Sequence, residues 1–112
     1  MKFSQDDINN GAALVVNYLT DTTNDKHYLR IRELVDSNNE SGAAAYLQGL
    51  LWDIDSFMNF VADLLDKYRI GQRPPIEATL DGISGDDWEI GRRRDFYDLF
   101  SQEVSKEVVK LI

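Results

Sequence analysis

Carboxylates are the one chemically capable group this chain holds in quantity. From Glu33 to Asp66 it carries seven of them, and no Lys, Arg or His interrupts the run. Cysteine is absent and His27 is the only histidine, which excludes a thiolate nucleophile, a cysteine-built zinc site and a multi-histidine metal site. A Ser–His catalytic pair would have to use His27. No nucleophile is recognisable near it, and its place in the first turn of a helix, on the core side, reads as structural. No phosphate loop, dinucleotide fingerprint or nucleophile elbow occurs. We therefore expect no catalytic residues and no cofactor.

Acid pairs remain. Asp53 and Asp55 are too close in sequence to act together on a helix, because residues two apart point roughly 160° away from each other. Asp63 and Asp66 are helical neighbours, as are Glu33 and Asp36. Glu33-Leu-Val-Asp36 and Asp63-Leu-Leu-Asp66 on successive helices resemble the paired acidic tetrads of the MazG-like all-α nucleotide pyrophosphatases, with aspartates in two expected glutamate positions. That resemblance covers the two tetrads alone. It implies a Mg²⁺ site made by Glu33, Asp36, Asp63 and Asp66 and a metal-dependent pyrophosphatase. The alternative is a solvated face on which Asp63 pairs with Lys67 one turn on.

The elements that would position these groups are helical. Ser4-Gln-Asp-Asp7 has the form of a helix start, with Ser4 as N-cap and acids in the first turn. Ile8, Ala12, Val15 and Leu19 follow as one apolar stripe. Gly11 either weakens that helix or lets a neighbour approach closely. A second helix is expected from about Lys26 to Asp36, facing the core with Tyr28, Ile31, Leu34 and Val35 and leaving Leu29 outside. After the turn-forming run Ser37–Gly42, a single long helix is expected from about Ala43 to Arg69, carrying Leu47, Leu50, Leu51, Ile54, Phe57, Met58, Val61, Leu64, Leu65 and Tyr68. On its far side Ala45, Gly49 and Ser56 make a small face beside Trp52, with Asp55, Asn59 and Asp63 around the indole. Residues 72–91 break the pattern with Pro74, Pro75 and several glycines, and read as an irregular connection. A last helix from about Gly91 to Leu111 is led by Arg92-Arg-Arg94 and carries Phe96, Tyr97, Phe100, Val104, Val108 and Leu111. The expected fold is an all-α bundle of four main helices, one domain over residues 1–112, with the long third helix as its centre.

Composition narrows the partners. The 112 residues carry 20 acidic and 12 basic side chains, for a net charge of −8. Such a chain is repelled by phosphate backbones and anionic membranes, so neither nucleic acid nor membrane is expected. The three adjacent arginines fan around their helix and make no groove-reading face. No window is apolar enough to span a bilayer, and the N-terminus lacks a signal pattern; the expected location is the cytoplasm.

These features point to a small acidic, non-enzymatic interaction module. Its expected contact patch is Trp52, Asp55, Asn59 and Asp63, with Leu29 as a second exposed apolar residue, because tryptophan is enriched at interface hot spots and carboxylates steer basic partners. An inhibitor or immunity- or antitoxin-like protein that binds a basic, nucleic-acid-acting protein fits this size and charge. The alternatives are a homodimeric helical scaffold, self-associating through Trp52 and the small face, and the metal-dependent pyrophosphatase. Folding of residues 72–91 back over Trp52 would bury the patch.

Overall fold

The computed structural model describes residues 3–68 and 85–112. Among them the chain is all-α, a bundle of five α-helices with no strand: α1 (Gln5–Thr20), α2 (Asp25–Asp36), α3 (Glu40–Leu50), α4 (Asp55–Lys67) and α5 (Gly85–Leu111). Short 3₁₀ turns cover Thr22–Asn24 and Leu51–Asp53. No helix among the described residues is long and apolar enough to cross a membrane.

The local signals explain most boundaries. Ser4 caps α1, its Oγ accepting from the Asp7 N–H at 3.2 Å. Asp21 ends that helix, and its carboxylate accepts from the Thr23 N–H and hydroxyl to form the turn into α2. At the end of α2 the chain folds into a Schellman turn. The Asn39 N–H reaches the Leu34 carbonyl (2.9 Å) and the Asn38 N–H reaches that of Val35 (3.0 Å). Asn38 takes the left-handed conformation this turn requires, with φ of 60°. Asn39 then caps α3 by accepting from the Gly42 N–H at 3.0 Å.

The expected single helix over 43–69 is instead two. After Leu50 the chain tightens into the 3₁₀ turn, and Ile54 is extended (φ −98°, ψ 98°) before α4 begins. Leu50, Leu51, Ile54 and Phe57 are all buried across the break. A kink that keeps the buried face continuous leaves the apolar spacing unchanged, so periodicity does not report it. The acids Asp53 and Asp55, which suit the positive start of a new helix, are the sequence trace of the break.

The centre of the bundle is α5, not the third helix. It packs along α1 and α3 and also touches α4. Phe96, Phe100, Val104 and Val108 are completely buried on it, whereas Leu111, expected in the same stripe, is exposed. Phe100 meets Phe57 and Phe96 in near-parallel stacks at 6.0 and 5.9 Å and Phe3 edge-on at 5.2 Å. Burying each such ring stabilises the fold by about 2–3 kcal/mol. Gly11 sits where α1 crosses α5: a Cβ there would lie 3.0 Å from Val104 Cγ2 and 3.3 Å from Phe100 Cζ. Close approach, not weakness, is what that glycine provides.

The irregular connection expected over 72–91 falls outside the described residues as far as residue 84, and from Gly85 the chain is helical. Arg92–Arg94 consequently lie about two turns inside α5, beyond the reach of the unfavourable dipole at its start.

Candidate functional site

The break before α4 decides what surrounds Trp52. In the 3₁₀ turn its indole is 59% exposed, yet it is held against the buried Tyr97 of α5, ring centroids 4.1 Å apart and planes tilted by 38°. Trp52 and Tyr97 together wall a shallow cleft of about 300 Å³ floored by Met58, Val61, Ala62 and Leu65 and rimmed by Arg93 and Arg94. The buried Tyr97 hydroxyl has no hydrogen-bond partner. Burial pushes its pKa up, with the Asp98 and Asp53 carboxylates adding to the effect. Ser101 Oγ acts in the opposite direction, though its own hydrogen goes to the Tyr97 carbonyl.

The acid residues expected around Trp52 share one exposed stripe of α4. At about 100° per residue, Asp55, Asn59, Asp63 and Asp66 fall within about 80° of one another, roughly a quarter-turn from the side of α4 that floors the cleft. None of the stripe residues lines the cleft beside Trp52, whose rim is made by arginines. Leu29 is 64% exposed but projects from α2. That helix packs on α1 and α3, while α4 packs on α1 and α5. The small face of Ala45, Gly49 and Ser56 is also divided, since Ser56 belongs to α4 and the other two to α3.

The tetrads of the pyrophosphatase resemblance are not brought together. Glu33 pairs with Arg30 (3.3 Å), and Asp36 with Arg32 (3.3 Å), which also donates to the Ile112 carbonyl. Among the described residues no three His, Asp or Glu side chains converge closely enough to hold a metal ion. His27 is structural in its contacts, its Nδ1 lying 2.7 Å from the Tyr46 hydroxyl.

Lys67 does not pair with Asp63. Its Nζ reaches both oxygens of Asp7, at 3.0 and 3.2 Å, and the Tyr68 hydroxyl donates to the same carboxylate at 2.6 Å. Asp7 is a buried acid in this setting. The Tyr68 hydrogen bond is the main force lowering its pKa; burial opposes it, and Lys67 and the Ser4 hydroxyl add to it. Sequence reasoning placed Asp7 only as a first-turn acid, and a contact spanning 60 residues leaves no local signal. With Lys67 diverted, no ion pair engages Asp55, Asp63 or Asp66 among the described residues.

Comparison with known protein families, with curated proteins and with solved structures finds no match for this chain.

Proposed function

We propose that this is a small acidic, non-enzymatic interaction protein that binds a basic protein partner through the exposed stripe of α4, in the manner of an inhibitor or immunity protein of a nucleic-acid-acting enzyme. The observation that carries the reading is the stripe itself: Asp55, Asp63 and Asp66, exposed on one face with Asn59 and engaged by no cation among the described residues. Surface carboxylates ordinarily sit interspersed with cations, and here the one lysine within helical reach is committed to Asp7. A net charge of −8 extends the attraction beyond the stripe and favours rapid encounter with a basic surface.

The test is affinity capture from cell extract with the wild-type chain and with an Asp55→Asn, Asp63→Asn, Asp66→Asn variant, at about 0.05 M and about 0.5 M NaCl. Basic proteins held by the wild type at low salt, released at high salt and ignored by the variant are expected. Their association rate with the purified chain should fall as salt rises. Identical captured sets for the two proteins would overturn the reading.

A further inference from the structure

The Trp52 cleft is a second surface, separate from the acid stripe, and its composition is self-complementary. Three observations bear on what covers it. The indole is a large apolar group left mostly in water but fixed in position by Tyr97, so its orientation is set before any contact forms. Immediately beside it lies a cleft with room for one large side chain, whose floor includes the half-buried Met58 and the exposed Ala62. The flanking charges differ in sign: Asp53 is exposed in the same turn as Trp52, and Arg93 and Arg94, exposed on α5, rim the cleft. A partner of one charge sign would satisfy only one of these flanks. A second copy related by a two-fold axis satisfies both, because in such an interface whatever residue i meets on its partner is met in return.

We infer that two copies of this chain associate through this face, each Trp52 seated over the other's Met58–Ala62 floor and each Arg94 facing the other's Asp53. The inference goes beyond the proposed function, since neither the α4 stripe nor a basic partner enters it. It also has an opposite salt signature. Two bodies of net charge −8 repel at low ionic strength, so an association driven by apolar burial should tighten as salt screens that repulsion. Binding of a basic partner should weaken.

The experiment is sedimentation equilibrium on the full chain from about 1 µM to about 500 µM, at low and at high salt. A monomer–dimer equilibrium is expected, tighter at high salt. Trp52→Ala should raise the dissociation constant at least about tenfold with the circular dichroism of the folded helical bundle retained, while loss of the ring contact with Tyr97 lowers the melting temperature modestly. Arg94→Asp should weaken the dimer, and Arg94→Asp combined with Asp53→Arg should recover it. A chain that stays monomeric across the whole range overturns the inference. So does a dimer whose dissociation constant is indifferent to both Trp52→Ala and Arg94→Asp, or a monomer that holds another protein in this cleft.

Discussion

Lys67 Nζ lies 3.0 Å from Oδ2 of Asp7, joining the last turn of α4 to the first turn of α1. The hydroxyl of Tyr68 donates to the same oxygen. Because the Asp7 pKa in the folded chain is below its ordinary value of 3.8, the unfolded chain binds more protons around that pH. The stabilisation is therefore present above about pH 3.8 and is lost as pH falls through the lower folded-state value. Tyr68→Phe should bring the Asp7 carboxyl back toward its ordinary value and cost about 1 kcal/mol at neutral pH. It should also flatten the acid limb of the stability curve. Carboxyl titration by NMR and urea unfolding at several pH values check both.

The two glycines Gly11 and Gly49 should respond oppositely to substitution. At Gly11 a side chain meets Val104 and Phe100, while at Gly49 nothing lies within 4 Å of a Cβ. Gly11→Val should cost about 2–3 kcal/mol by forcing α1 away from α5. Gly49→Ala, free of any clash, should gain about 0.5–1 kcal/mol from helix propensity. Denaturant midpoints at constant slope would read each effect.

These cases mark what the residues declared in advance. The stripes Ile8–Ala12–Val15–Leu19 and Phe96–Phe100–Val104–Val108 are buried as their spacing requires, and Ser4 caps where its position before two acids predicts. The start of α1 and the end of α2 at Asp36 are legible because caps and turn formers are local chemistry, whereas α3 starts at Glu40, ahead of the expected Ala43, and α5 at Gly85, ahead of the expected Gly91. The kink at Leu51–Ile54 leaves no mark on the apolar spacing, because it preserves the buried face, and its one trace is the acid pair Asp53 and Asp55. The surroundings of Trp52 depend on the same kink. Extending one helical wheel through residues 52–66 put Asp55, Asn59 and Asp63 around the indole, whereas the broken axis brings Tyr97, Arg93 and Arg94 beside it. Long-range partners such as Asp7 and Lys67 belong to tertiary packing and have no sequence signature.

The turn between α2 and α3 should tolerate glycine and reject a branched side chain. Asn38 has φ of 60°, a conformation that costs most residues about 1–2 kcal/mol. Asn38→Gly should change stability by only a few tenths of a kcal/mol, whereas Asn38→Val should lower it by about 1–2 kcal/mol. Thermal unfolding of the pair separates the two outcomes.

Tyr97→Phe should stabilise the fold. The hydroxyl it removes is buried and unpartnered, and such a group costs about 1–3 kcal/mol to desolvate; a gain of about 1 kcal/mol is expected. The raised pKa of Tyr97 means that the unfolded chain loses its phenolic proton first as pH climbs past its ordinary value of 10.0. Stability that is intact below that pH is then lost on the alkaline side. Tyr97→Phe should remove that alkaline loss, which guanidinium unfolding between neutral and alkaline pH would show.

The central place of α5 also governs how the molecule comes apart. Since α1, α3 and α4 all rest on it, its amides from Phe96 to Val108 are released only when the surrounding helices have separated. Hydrogen exchange at those amides should follow the global opening free energy. The amides of α2, which buries Ile31 alone, should open in smaller excursions that leave the rest of the bundle intact.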